Sequence, residues 1–243
     1  MTWASDPNRA PPPWGVVATV AWVVVSFGVS ALAAIGFFAL WFGGGPRPAV
    51  GAFDGVLLTL GALVSFPVQV AVVAIAAELR GWRAAAYLAL NVPRRAEVIV
   101  AMVCTIGLVL ATNALLVLFG RPIVSSFQIE TYRSAKEAGW LVPLLFAIVV
   151  VAPVAEEIVF RGFAYRGLAR RGWELHAIAA IALAWALLHM QYDWFGMAQI
   201  FAIGLMLGFF RWASGSTSLT ILMHVLINLE AMIETAIKVE VLT

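Results

Sequence analysis

Residues 141–161 read LVPLLFAIVVVAPVAEEIVFR, an apolar run that ends in two adjacent glutamates and an arginine. An ionisable side chain at the middle of a bilayer costs roughly 2.5–3.5 kcal/mol on an insertion scale. Glu156, Glu157 and Arg161 would together cost on the order of 7–10 kcal/mol before any pairing. Ionisable groups inside a membrane helix mark a functional site by default, so we expect this segment to carry one.

The composition places this segment in an integral membrane protein. The chain has 243 residues, of which 63% are hydrophobic and only 12% charged. A soluble domain carries about 25% charged residues. Long apolar runs recur, which is typical of membrane helices and not of short alternating strands. We therefore predict an all-α integral membrane protein, a bundle of about seven transmembrane helices within a range of six to eight.

The apolar runs are long enough for helices that cross a bilayer, which takes about 20 residues. Residues 128–136 are predicted to form a short interfacial helix. Residues 1–14 are polar and proline-rich and are predicted as a disordered cytoplasmic tail, which leaves 15–243 as a single polytopic membrane domain. The predicted spans are 16–42, 56–77, 98–119, 140–168, 176–190, 195–212 and 219–237.

The basic residues predict the orientation in the membrane. With the N-terminus inside, the inner side holds ten Lys and Arg residues and the outer side five. Cytoplasmic loops carry the excess of Lys and Arg in membrane proteins. We predict a multi-pass protein of the cell membrane with a cytoplasmic N-terminus, and an external C-terminus if the number of spans is odd. No basic and aromatic cluster suggests nucleic acid as a partner.

Two interpretations of Glu157 and Arg161 are open. They are four residues apart with the acid first, which is the better order for a helical ion pair. This pair can lock the helix to its neighbours, or it can support a functional site. Glu156 points about 100° away on a 3.6-residue helix and therefore needs a partner on another face.

Two of the three histidines are candidates for that partner. His176 lies beside charged residues at a predicted helix start, which indicates an interfacial role. His189 and His224 lie in apolar segments. Glu156 precedes the turn near residue 172 by about as many residues as His189 follows it. Antiparallel neighbours then place both side chains at equal depth, about 20 Å from that turn.

His224 and Asn228 project from one face of the last predicted span, because they are four residues apart. His224 lies roughly 12 Å beyond its own turn at Ser216. It can meet Glu156 and His189 only if the hairpin of the fourth and fifth spans protrudes towards the cytoplasm. We expect these four polar groups, from three helices, to converge.

Such a set of groups fits the hydrolysis of a peptide bond. A carboxylate near an imidazole can hold and deprotonate a water molecule. A second imidazole and a carboxamide can donate hydrogen bonds to the oxyanion that forms. A covalent nucleophile is not indicated, since the single cysteine, Cys104, lies in another span and no Gly-x-Ser-x-Gly motif is present.

Three motifs resemble those of the CAAX proteases and bacteriocin-processing enzymes (CPBP), intramembrane glutamate proteases that include the CAAX prenyl endopeptidases. The family pattern is Glu-Glu-x-x-x-Arg, Phe-x-x-x-His and His-x-x-x-Asn. Residues 156–161, 185–189 and 224–228 read EEIVFR, WALLH and HVLIN. The resemblance covers about 140–230. Trp185 stands where Phe is usual, which keeps an aromatic ring and is expected to affect only local packing.

The resemblance implies a role for each matched residue. Glu156 and His189 would activate water, His224 and Asn228 would form the oxyanion pocket, and Glu157 and Arg161 would support the site. The substrate would be a membrane-associated peptide or protein. No cofactor is favoured, although Glu156, His189 and His224 also match a catalytic zinc set. Metal-free hydrolysis is preferred because no His-Glu-x-x-His motif and no evident carboxylate partners for the histidines are present.

Two other functions remain open at this point. A non-catalytic immunity or scaffold protein would keep the same helices without chemistry. A proton-coupled transporter would use buried Glu and His as a relay. Against the transporter, the two halves of the sequence carry no matching pair of interrupted helices.

Overall fold

The computed structural model describes residues 12–43 and 54–242, and within them every regular element is a helix. The predicted tail at 1–14 therefore lies, up to residue 11, outside the described residues. The all-α prediction is confirmed. The described helices are α1 Val16–Trp41, α2 Gly55–Leu79, α3 Ala84–Tyr87, α4 Arg95–Leu118, α5 Ser126–Glu137, α6 Leu141–Leu168, α7 Glu174–Leu187, α8 Trp194–Ser214 and α9 Thr217–Glu240.

Six of the described helices, α1, α2, α4, α6, α8 and α9, are long and apolar enough to cross a membrane. The remaining predicted span, the fifth at 176–190, is represented by α7, an apolar helix of 14 residues. At 1.5 Å per residue α7 is about 21 Å long, which is shorter than the roughly 30 Å of a hydrocarbon core. The six membrane-crossing helices in the described part of the chain thus fall within the predicted range of six to eight transmembrane helices.

α7 ends at Leu187, three residues before the predicted end of its span. The last turn tightens, because the amides of Leu188 and His189 donate to the carbonyls of Trp185 and Ala186 at 3.2 and 3.0 Å. Such three-residue bonds are one way in which a helix end satisfies its last carbonyls. His189 therefore lies on the turn 188–193. The predicted span at 176–190 had placed it on a helix.

α6 is the central helix and is not uniform along its length. Two wider π-helical segments, Ala147–Val151 and Ile158–Ala164, enclose the regular turns at Ala152–Glu157. Pro153 lies just after the first of them, and a proline removes one backbone hydrogen bond and crowds the preceding turn. Single π turns within α-helices occur frequently at functional sites.

α6 also packs against α1, α2, α5, α7, α8 and α9. Side chains in its second half are almost fully enclosed, with Val159 and Phe163 at 0% exposure. The ionisable residues of α6 therefore face protein, where other helices can supply partners, and not lipid.

Hydrogen bonds near the ends of the helices define two ends of the bundle. At one end Arg80 and Arg166 donate to the carbonyls of Pro12 and Ala86. At the other end, Gly55 donates to Ser134 and Tyr132 donates to Glu240. Each of these bonds joins segments that the arginine count had assigned to the same side of the membrane.

The hairpin of α6 and α7 extends beyond the turn between α8 and α9. The side chain of Arg211 donates to the carbonyl of Arg161 at 3.0 Å, so the two residues lie at similar levels, within the length of an arginine side chain. Seven residues of helix follow Arg161 to Leu168, whereas three follow Arg211 to Ser214. The difference of four residues is about 6 Å, in the direction that His224 needed in order to reach the site.

Candidate active site

Glu157 and Arg161 form the predicted ion pair, and His224 binds to the same carboxylate. Arg161 Nη1 donates to Glu157 Oε1 at 2.8 Å, and His224 Nδ1 lies 3.0 Å from the same oxygen. The Glu157 side chain is 0% exposed and that of Arg161 is 1% exposed. Arg161 also donates to the carbonyl of Gly204. The pair thus locks α6 to α8 and at the same time orients His224 on α9.

The partners of His224 determine which of its nitrogens faces the site. An ionised carboxylate only accepts hydrogen bonds, and Arg161 beside Glu157 favours the ionised form. The hydrogen therefore lies on His224 Nδ1, which leaves Nε2 for a group in the cavity. His224 itself is 4% exposed, so this arrangement is held away from solvent and lipid.

The partner that Glu156 required is Trp185. The indole Nε1 donates to Glu156 Oε2 at 2.6 Å across the interface of α6 and α7. The expectation that Trp185 would affect only local packing is therefore wrong. An indole ring carries an N–H donor that a phenyl ring lacks, so this residue bonds to the candidate base.

His189 is held by the same tryptophan. Its Nδ1 lies 2.8 Å from the carbonyl oxygen of Trp185. A carbonyl can only accept, so Nδ1 carries the hydrogen and Nε2 keeps a lone pair. The rings of His189 and His224 both contact the Trp185 ring edge-on, at centroid distances of 5.0 and 5.2 Å. Trp185 thus lies between the two imidazoles.

Asn228 contacts the first π segment of α6. Its Nδ2 donates to the carbonyl of Ile148 at 2.8 Å. A carboxamide has two N–H donors, so one remains for another acceptor.

One cavity of about 630 Å³ brings the predicted site residues together. Glu156, His189, His224 and Asn228 all contribute to its wall, as does Trp185. Glu157 and Arg161 are not among the lining residues and lie behind the wall. His176 lies elsewhere, with its ring 4.7 Å from that of Trp173 at the start of α7. Glu156, His189, His224 and Asn228 therefore share the wall of one cavity.

The cavity continues past these residues into a polar region that sequence reasoning missed. Asn113 on α4 donates to Glu234 Oε1 at 2.8 Å, and Gln199 on α8 donates to Asn113 Oδ1 at 3.1 Å. Glu230 lines the cavity beside them. Asn113 and Gln199 each interrupt an apolar run with a carboxamide, and this interruption is the signal in the sequence that could have identified them.

Tyr192 lines the cavity from the turn 188–193. Burial raises the pKa of its hydroxyl to about 12, and the negative charge of Glu156 adds to this increase. The phenol therefore stays protonated at neutral pH and can donate a hydrogen bond within the cavity.

The geometry bears on the zinc alternative in two opposite ways. Within 12–43 and 54–242, no three His, Cys, Asp or Glu side chains form a group that could hold a metal ion. The Nδ1 atoms of His189 and His224 are engaged by the Trp185 carbonyl and by Glu157, which leaves both Nε2 atoms available and is also how metal-binding histidines are held. The expectation that the histidines lack carboxylate partners is therefore wrong for His224. Metal-free hydrolysis stays a prediction, since the need for a metal is a property that only the protein in solution can report.

Residues 138–229 match the family model described as type II CAAX prenyl endopeptidase, Rce1-like. No curated protein and no solved structure matches the chain. The matched segment contains all three motifs and extends from α6 to about the middle of α9. The resemblance that the motifs carry is confirmed for this part of a multi-pass helical membrane protein.

Proposed function

We propose that this membrane protein, with its Rce1-like segment, is an intramembrane endopeptidase that hydrolyses a membrane-associated peptide or protein. The observation that supports this most is the cavity wall. A carboxylate, two imidazoles and a carboxamide from separate elements line one cavity inside a segment with a protease family match. The family match carries the reaction class, and the geometry suggests how the residues divide the work.

The water molecule is activated by Glu156 and His189. Trp185 occupies Oε2 of Glu156, which leaves Oε1 to accept one hydrogen of the water. The lone pair on His189 Nε2 accepts the other hydrogen. As the water oxygen attacks the carbonyl carbon, its proton moves to Glu156. When the C–N bond breaks, Glu156 returns that proton to the leaving amine.

The oxyanion is stabilised by His224 and Asn228. The second N–H of Asn228 and the Nε2–H of His224 donate to the oxygen that becomes negative. His224 already donates Nδ1–H to Glu157, so it acts at Nε2 as an imidazolium. The buried carboxylate of Glu157, paired with Arg161, stabilises that cation.

Comparison of membrane proteomes tests this proposal. Membranes that contain the Glu156→Gln variant should accumulate an uncleaved peptide that wild-type membranes convert to two products. Glu130→Gln is the matched control, because Glu130 is exposed on α5 and does not line the cavity. Identical cleavage by wild type and Glu156→Gln would contradict the protease and favour an immunity or scaffold protein.

A proton-coupled transporter is the second candidate, because Glu230 and Glu234 carry carboxylates further along the same cavity. It would move solute across liposomes and cleave no peptide.

For the protease, we further propose that no metal takes part. Cleavage should then persist after dialysis against a chelator, and one bound zinc per chain, with loss of activity on its removal, would contradict this.

A further inference from the structure

We propose that Trp185 is the positioning residue of the water-activating pair, an inference that rests on the proposed protease function. Its indole N–H binds Glu156 and its carbonyl oxygen binds the ring of His189. Its side chain is 3% exposed. One residue thereby fixes both groups that are assigned to the water molecule.

The bond to Glu156 determines which way the carboxylate faces. At 2.6 Å it is short, as hydrogen bonds to a charged acceptor are. The terminal torsion of a glutamate is broad and weakly restrained, so without a donor the two oxygens would sample many orientations. Because an indole only donates, it holds Oε2 without exchanging a proton and keeps Oε1 available for water.

Trp185 can serve this role because its own ring is held on several sides. The guanidinium carbon of Arg161 lies 4.6 Å from the ring centroid, in a cation–π contact. The two imidazoles contact the ring edge-on. The ion pair behind the cavity wall thus supports the water-activating pair through the tryptophan.

The main test removes the indole N–H of Trp185 and keeps the shape of its ring unchanged. Incorporation of benzothienylalanine at position 185 exchanges N–H for sulfur, and Trp185→Phe removes the donor together with part of the ring. With the substrate identified by the Glu156→Gln comparison, we expect kcat to fall by about 10–100-fold, as for other residues that orient an active group. KM should change by less than about twofold, because the bond acts on water activation and not on substrate binding.

Trp14 supplies the matched control. Its indole Nε1 donates to the carbonyl of Ala76 at 2.9 Å, near the opposite end of the bundle from Glu240. Benzothienylalanine at position 14 removes an equivalent bond and should leave kcat unchanged. Thermal unfolding of each variant in detergent separates loss of activity from loss of fold.

Each outcome decides between the alternatives. A wild-type kcat with benzothienylalanine at 185 would overturn the positioning role, as would a higher KM at unchanged kcat. If Trp185→Phe fails to fold, the isosteric variant still gives the answer. If Glu156→Gln itself cleaves normally, the proposed function is wrong, and that result is distinct from a failure at Trp185 alone.

Discussion

At the scale of single residues, Glu156 and Glu157 show how adjacent carboxylates come to occupy different environments. A step of about 100° per residue turns their side chains to different faces of α6. Glu156 is half-buried, lines the cavity and accepts from an indole. Glu157 is fully buried in an ion pair behind it. One carboxylate is therefore available for chemistry while the other contributes to the support.

The Glu157–Arg161 pair should be costly to break from one side. The single change Glu157→Leu leaves the Arg161 cation buried without a carboxylate and should reduce stability by about 3–5 kcal/mol. Adding Arg161→Met should recover most of that loss, because an apolar pair of similar size needs no compensation. Thermal unfolding in detergent checks both variants.

The exposed pair of Lys136 and Glu240 is the control for this comparison. Lys136→Gln should leave the unfolding temperature unchanged, since solvent-exposed ion pairs contribute little. An equally small effect of Glu157→Leu would mean that the buried pair does not stabilise the fold.

Tyr192 should titrate at high pH. Its pKa of about 12 lies above the ordinary value of 10.0, so the folded protein keeps the phenolic proton between these two pH values. Its contribution to stability is complete below pH 10 and is lost as the pH rises towards 12. The tyrosinate absorbance of wild type minus that of Tyr192→Phe should have its midpoint near 12. A midpoint near 10 would show that the hydroxyl is solvated.

At the scale of helices, the site depends on two departures from regular geometry. The π segments of α6 enclose the turns that carry Glu156 and Glu157. The early end of α7 replaces helix with a turn, and that turn supplies His189 and Tyr192 to the cavity.

The crossing of α1 and α6 should tolerate only glycine at position 167. A Cβ atom built there would overlap the side chain of Thr19, which is itself fully buried. Gly167→Ala should therefore reduce stability by about 1–3 kcal/mol, the usual range for overpacking. Gly107→Ala on α4 is the matched control, because no atom lies within 4 Å of its added Cβ. A similar unfolding temperature for both variants would contradict the close approach.

At the scale of the whole molecule, the two ends of the bundle carry different charge. The predicted inner end holds most of the arginines, and hydrogen bonds near the helix ends keep inner segments together and outer segments together. The cytoplasmic position of the N-terminus stays a prediction from the arginine bias.

Single cysteines can test that orientation, because Cys104 is the only native one. In a Cys104→Ser background, Glu130→Cys and Arg171→Cys place thiols at exposed positions of opposite ends. A membrane-impermeant maleimide added to intact cells should label position 130 and spare position 171. Labelling of position 171 alone would reverse the orientation.

The sequence alone determined the membrane class, the helical fold, the approximate spans and the four groups that share a cavity. Apolar length and motif spacing are local properties that a linear chain displays directly. The bond from Trp185 to Glu156, the early end of α7 and the polar region around Asn113 and Glu234 were decided only by tertiary structure. Each depends on a donor and an acceptor from different helices, and which groups lie within 3 Å is decided by how the helices pack.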